Sequence, residues 1–112
     1  MIDARAIQGL LAQYQRFDWQ LHHVLMTREM RDALPASLTV LFGNAEIVDS
    51  DINAVWFSRP AENGRIAFEL RALSNTPFAL VDSSEPGADE TDLAALFQRV
   101  EGKMRERLSH QH

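Results

Sequence analysis

The stretch INAVWFSRPAENGRIAFELRAL, residues 52–73, carries the clearest fold signal in this chain. Two runs that favour β-strands flank the dipeptide Asn63-Gly64, which is a strong signal for the turn of a β-hairpin. A third such run follows the hairpin after a short break that contains proline. The pattern predicts an antiparallel meander with strands at residues 52–59, 64–73 and 78–83.

The register of this hairpin decides which side chains share a face of the sheet, and two registers are open. With a two-residue turn, Trp56 lies opposite Arg71 and beside Glu69, and the other face is apolar. A shift of one residue places Trp56 in the core opposite Leu70, because it moves every side chain to the other face. Pro60 has no N–H for a strand ladder, which suggests that the loop begins earlier than the dipeptide.

Both ends of the chain show the periodicity of amphipathic helices. The first helix begins after Asp3, a good N-cap residue. The last begins near Asp89, which forms an approximate capping box with Asp92, and it carries one apolar stripe along its length. We predict a single α+β domain, residues 1–112, with the architecture of a two-layer sandwich. In it, an antiparallel sheet of four to five strands is packed on one face by the N-terminal and C-terminal helices.

The segment between the first helix and the hairpin gives weaker signals. If residues 18–35 formed one helix, its apolar side chains would fall on two opposite faces. We therefore predict a strand over residues 19–26, with a helix over the same residues as the alternative. A short helix capped by Thr27 follows and ends before the next proline. Residues 37–43 form either a strand or a short helix that ends at glycine, and residues 45–49 are expected to be extended.

The composition argues against several classes of function. The 112 residues include 16 acidic and 11 basic side chains, and the net charge of −5 opposes binding to the nucleic-acid backbone. Cysteine is absent, so the chain has no disulfide framework, thiolate zinc site or cysteine nucleophile. No apolar run approaches the length of a membrane span, and the N-terminus lacks the pattern of a signal peptide. We therefore predict a soluble cytoplasmic protein that binds neither nucleic acid nor membranes.

No catalytic motif is recognisable in the sequence. Phosphate-cradling glycine patterns and the GxSxG context of serine hydrolases are both missing. The pair His22-His23 forms the histidine cluster of the central sequence, and adjacent residues of a strand point to opposite faces. We expect one ring in the core and one in solvent, with no shared metal; as an alternative, His22 or His23 supplies a polar group to a pocket. The prediction is a protein without catalytic residues, metal or cofactor.

The hairpin supplies the candidate binding residues, since tryptophan and arginine are favoured anchors of interfaces. The predicted interaction patch consists of Trp56, Arg59, Glu69 and Arg71. The leading prediction is a small acidic, non-enzymatic interaction or accessory domain. It would bind a protein partner, or a second copy of itself as a homodimer, through its sheet face. The alternative is a small-molecule-binding domain or enzyme with a pocket between helices and sheet. A third interpretation has Trp56 packed under a helix, with Glu69 and Arg71 as ordinary solvated charges.

Overall fold

In the computed structural model, one five-stranded sheet lies between helices on its two faces. The structure describes residues 2–34, 38–74 and 76–109. The helices of these ranges are α1 (Ala4–Arg16), α2 (Arg28–Ala33), α3 (Leu38–Phe42) and α4 (Glu90–Ser109). The strands are β1 (Gln20–Met26), β2 (Glu46–Asp49), β3 (Ala54–Pro60), β4 (Ile66–Ala72) and β5 (Ala79–Ser83). None of the helices in these ranges is both long and apolar enough to cross a lipid bilayer.

The strands follow the order β2-β1-β3-β4-β5 across the sheet. Strands β3, β4 and β5 form an antiparallel meander, and β1 pairs antiparallel with β3. Strand β2 pairs with β1 in parallel, which is possible because the chain between them crosses over through α2 and α3. The α+β class, the mainly antiparallel sheet and the meander are confirmed. The parallel edge strand is a departure from the antiparallel sheet that the pattern predicted.

Side-chain caps set the starts of three helices. Asp3 accepts a hydrogen bond of 2.8 Å from the backbone N–H three residues later, and Thr27 does the same at 3.1 Å. Asp89 and Asp92 exchange hydrogen bonds of 2.9 and 3.1 Å between side chain and backbone, which is the reciprocal capping box. The predicted helix starts, and the change from strand to helix at Thr27, are confirmed. The proline that was expected to end α2 lies outside the described residues.

The stretch between α2 and the hairpin takes the second of its two predicted forms. Within residues 37–43, the described part forms the helix α3, and residue 37 itself is not described. Gly43 follows this helix with a φ of 59°, the left-handed conformation that favours glycine after a helix end. The next residues are extended, as expected, and form β2.

The β3–β4 hairpin has the shifted register, and the register with a two-residue turn is not formed. Trp56 pairs with Leu70. The loop covers residues 61–65, and its first N–H donates to its last carbonyl at 2.9 Å. Asn63 and Gly64 do take the positive φ angles of 62° and 76° that a tight turn uses, but they lie inside a longer loop. The added loop residues move every side chain of β4 to the other face relative to β3.

Helices α1 and α4 lie on opposite faces of the sheet, whereas both were expected on the same face. Side chains alternate along a strand, and in β3 the residues Val55 and Phe57 pack with α1 while Trp56 packs with α4. The reason lies in the run AVWF, residues 54–57, in which every residue is buried. A strand that is apolar on both faces needs cover on both faces. The helices therefore form two outer layers around the sheet.

Helix α1 covers only part of its face of the sheet. It packs against β1, β3 and α3, whereas α4 packs against β3, β4 and β5 on the other face. On the α1 face, the half of the sheet formed by β4 and β5 therefore stays partly open. Val81 on this half is 62% exposed, and its cross-strand partner Glu69 is half-buried together with Arg71. We call this region the open half-face.

Candidate functional site

The turn that ends α1 forms one wall of a pocket beside the open half-face. Asp18 has a φ of 68°, and its N–H donates to the Gln15 carbonyl at 3.1 Å. The Trp19 N–H donates to the Tyr14 carbonyl, also at 3.1 Å. These two bonds define a Schellman motif, which often adds an apolar contact between the residues that its longer bond joins. Here the rings of Trp19 and Tyr14 meet edge to face, with centroids 6.3 Å apart.

Tyr14 connects this turn to the sheet. Its ring stacks on Phe57 of β3, with a centroid distance of 3.9 Å and an interplanar angle of 4°. Its hydroxyl donates a hydrogen bond to the Glu69 carboxylate on β4. Burial, followed by the hydrogen bond and the negative charge of Glu69, raises the pKa of Tyr14 well above its ordinary value, while the charge of Arg71 acts in the opposite direction. Tyr14 is therefore a neutral hydrogen-bond donor at physiological pH.

Arg59 holds the same turn from the side of β3. Its Nη1 donates to the Phe17 carbonyl at 3.0 Å, and its guanidinium carbon lies 4.7 Å from the centroid of the Trp19 ring. A cation–π contact of this kind contributes about 0.5–1 kcal/mol at an exposed site. Arg59, predicted as a residue of the interaction patch, thus fixes the position of an aromatic wall of the pocket.

The pocket lies between the end of α1 and the sheet and has a volume of about 430 Å³. This volume falls within the range of about 300–1,000 Å³ that is typical of small-molecule sites. The residues that line it are Gln13, Tyr14, Phe17, Trp19, Glu69, Arg71 and Pro77. Aromatic rings form one side of the pocket, and one acidic and one basic side chain of β4 form the other.

Glu69 and Arg71 bring opposite charges to the pocket without pairing with each other. They are two residues apart in β4 and therefore point to the same face of the sheet. Within the described part of the chain, no Arg71 nitrogen lies within 4.0 Å of a Glu69 carboxylate oxygen. The Arg71 Nη1 instead donates to the Ala72 carbonyl at 2.6 Å. A cation and an anion thus stand side by side, each held by a different partner.

Trp56 does not belong to this site, so the predicted four-residue patch is divided. Its exposure is 0%, it lies on the α4 face, and its Nε1 donates to the Glu101 carboxylate at 2.9 Å. Its ring packs against Phe97 of α4, with centroids 4.8 Å apart. The third interpretation is confirmed for Trp56, which packs under a helix, whereas Glu69 and Arg71 are half-buried rather than fully solvated. The other patch residues, Arg59, Glu69 and Arg71, do lie together on the α1 face.

His22 and His23 lie on the same face of the sheet, contrary to the expectation that they point in opposite directions. A register shift between Leu21 and His23 forms a β-bulge, and both rings contact Phe97 of α4, at 5.4 and 5.2 Å. Their Nδ1 atoms are 2.7 Å apart, so one neutral ring can donate to the other. In the described ranges, no group of three or more candidate metal ligands occurs. The histidines lie on the α4 face and do not reach the pocket.

Burial against the aromatic cluster keeps these two rings neutral. Burial, and to a smaller extent the charge of His22, lowers the pKa of His23 from 6.5 to about 4. Partial burial also lowers the pKa of His22, although the negative charge of Glu46 opposes this effect. The neutral histidine pair packs on Trp56 and Phe97, and its role is therefore to stabilise the packing of α4 on the sheet.

Sequence reasoning did not single out Tyr14 and Trp19 as site residues. Tyr14 lies within the first predicted helix, and its partner Glu69 lies 55 residues away in the chain. The Schellman turn carried no glycine to signal it, because Asp18 occupies the left-handed position. No protein-family model matches this chain, and no curated protein or solved structure is measurably similar to it.

Proposed function

We propose that this protein binds a small polar molecule in the pocket between the end of α1 and strand β4. One observation carries the proposal: Glu69 and Arg71 line an aromatic-walled pocket with opposite charges that do not pair with each other. Pockets with apolar walls and a few convergent polar groups are the common form of ligand sites. Of the functions considered from sequence, this is the small-molecule alternative.

The walls of the pocket are fixed before any ligand arrives. Stacking on Phe57 and the hydrogen bond to Glu69 hold Tyr14, and Arg59 holds Trp19. Preorganised side chains of this kind lower the entropic cost of binding. We propose binding rather than catalysis, since the sequence carries no recognisable catalytic motif, and the prediction of a non-enzymatic protein is retained.

A ligand screen that measures tryptophan fluorescence from the pocket tests this proposal. The chain has two tryptophans, of which Trp19 lines the pocket and Trp56 is buried under α4. In a Trp56→Phe background, emission therefore reports on Trp19 alone. We expect members of a metabolite library to change this emission, and Arg71→Gln to weaken their binding by about tenfold or more.

Arg99→Gln is the matched control, because Arg99 pairs with Asp82 at 2.8 Å, away from the pocket. It removes the same charge from the protein and should leave ligand affinity unchanged. If no library member alters the Trp19 emission, or if both arginine variants weaken binding equally, the pocket is not a ligand site.

A second function, the protein-interaction domain of the leading prediction, is favoured by the surroundings of the pocket. Phe17 is 59% exposed and Val81 is 62% exposed, and both border the open half-face. The net charge of −5 favours a basic protein partner over another copy of this acidic chain. Cross-linking of untagged protein in its source cells tests this function. We expect Val81→Glu to abolish cross-linking to the partner. If the variant is cross-linked as efficiently as the wild type, the open half-face is not the binding surface.

Homodimer formation and the cytoplasmic location remain predictions with their own tests. Native mass spectrometry of untagged protein would show a dimer at twice the mass of the 12.7 kDa chain. Fractionation of source cells would place the protein in the cytoplasm if that prediction is correct.

A further inference from the structure

We infer that the ligand of the pocket is an α-amino acid with a large apolar or aromatic side chain. Its carboxylate would bind Arg71, its ammonium group would bind Glu69, and its side chain would pack between Trp19 and Phe17. This inference rests on the proposed function and names the class of ligand. The placement of the two charges on one face of β4, their remaining hydrogen-bonding atoms and the aromatic wall support it separately.

The placement of the charges matches a ligand that carries both signs close together. The Cα atoms of residues two apart on a strand are about 6.6 Å apart and their side chains share one face, and both Glu69 and Arg71 line the same pocket. The ammonium and carboxylate groups of an α-amino acid are attached to the same carbon. One small ligand can therefore offer an ammonium group to Glu69 and a carboxylate to Arg71. A purely anionic ligand would be repelled by Glu69, and a purely cationic ligand by Arg71.

The hydrogen-bonding atoms that remain at each charge are those that an amino acid needs. Arg71 uses Nη1 for the Ala72 carbonyl, and in the described ranges its Nε and Nη2 have no acceptor. These two nitrogens form a fork that binds a carboxylate through two parallel bonds. Tyr14 donates to Oε2 of Glu69, while Oε1 accepts no hydrogen bond from any described residue. That oxygen can therefore accept a bond from an ammonium group.

The rest of the lining favours an apolar side chain on the ligand. Trp19, Phe17 and Pro77 contribute apolar surface, and among the described residues that line the pocket, Gln13 is the one polar residue besides Tyr14, Glu69 and Arg71. Phe17 is largely exposed in the free protein, so a ligand ring placed against it would remove apolar surface from water. A pocket of about 430 Å³ accommodates a ring of phenylalanine size.

Calorimetry with four matched probes tests the ligand class. L-Phenylalanine carries both charges and the ring, phenethylamine lacks the carboxylate, 3-phenylpropionate lacks the ammonium group, and glycine lacks the ring. We expect L-phenylalanine to bind and each of the other three to bind at least about tenfold more weakly. If any probe that lacks a charge binds as tightly as L-phenylalanine, the inference is overturned.

Variants of the two charged residues connect each charge of the ligand to its partner. Arg71→Gln should remove the preference for L-phenylalanine over phenethylamine. Glu69→Gln, which keeps an acceptor for the Tyr14 hydroxyl, should remove the preference over 3-phenylpropionate. Thermal melts show whether each variant folds, and Arg99→Gln should keep both preferences. If both preferences survive in the folded variants, the assignment of the charges is wrong.

The outcomes separate this inference from the proposed function. If L-phenylalanine, L-leucine and L-tryptophan fail to bind while other compounds bind in a manner that depends on Arg71, the ligand class is wrong and the pocket remains a binding site. If no compound binds in a manner that depends on Arg71, both the ligand class and the proposed function are wrong.

Discussion

A fall in pH from neutrality should destabilise this protein through His23. In the folded protein, burial against Trp56 and Phe97, together with the charge of His22, lowers the pKa of His23 from 6.5 to about 4. In the unfolded chain the ring returns to a pKa of 6.5. Between these two values the unfolded chain binds a proton that the folded protein excludes. The stability that neutral His23 contributes is therefore fully present above pH 6.5, and it is lost progressively as the pH falls towards 4.

The size of the effect follows from the same two values. The difference between 6.5 and about 4 corresponds to about 3 kcal/mol of unfolding free energy. Because the ring is not fully buried, solvent screening reduces this figure, and we expect a loss of about 1–2 kcal/mol. His22 acts in the same direction.

The acidic groups nearby do not mask the loss of stability that protonation of His23 causes. Glu46 of β2 raises the pKa of His22 and so opposes the loss, and Glu101 of α4 is engaged by the Trp56 N–H. Asp51 and Asp82 have pKa values lowered below 3.8, mainly by their hydrogen bonds to arginine side chains. Their stabilising effect is present above that value and is lost only at lower pH.

Urea denaturation of the wild-type protein and of His23→Phe measures the effect. Phenylalanine fits an aromatic cluster and does not titrate. The unfolding free energy of the variant should therefore fall by about 1–2 kcal/mol less than that of the wild type between roughly pH 7 and 4.5. Glu46→Gln is a control that should leave the contribution of His23 in place. If wild type and His23→Phe lose equal stability over this range, burial does not hold His23 neutral.

Three further predictions concern the turn and the pocket. Asp18→Gly should raise the unfolding free energy by about 0.5–1 kcal/mol in urea, because a residue with a side chain is strained at a φ of 68°; a lower value would show that the Asp18 side chain stabilises the turn. Tyr14→Phe should lower the unfolding free energy by about 1–2 kcal/mol, since it leaves half-buried Glu69 without its donor. An unchanged denaturation midpoint would contradict this. Arg59→Ala should lower the unfolding free energy by about 0.5–1 kcal/mol, and it should increase the solvent quenching of Trp19 emission. Quenching equal to that of wild type would mean that Trp19 is held without Arg59.

Features that depend on neighbours in the sequence were predictable from the sequence. The N-caps at Asp3 and Thr27, the capping box and the strand pattern of the meander all act over a few residues. They determined the α+β class, the starts of the helices and the split between β1 and α2. Local hydrogen bonds and side-chain periodicity carry this information, and distant residues do not alter it.

The register and the layers were decided by tertiary contacts. The dipeptide Asn63-Gly64 correctly indicated a turn, but it could not show that the loop includes residues 61–65. The run at residues 54–57 is apolar on both faces, so its burial required cover from both sides. A stripe on a helix indicates that one face is buried, and it does not say on which side of the sheet.

The pocket likewise exists only in the folded chain. The sequence by itself determined that Glu69 and Arg71 share one face of a strand, since alternation is a local property. It did not determine that Tyr14, 55 residues earlier, would donate to Glu69, or that a turn without glycine would bring Trp19 beside it. The bulge that turns His22 and His23 to one face is equally invisible in the sequence. These features depend on how helices pack against a twisted sheet, where many distant side chains together select one arrangement.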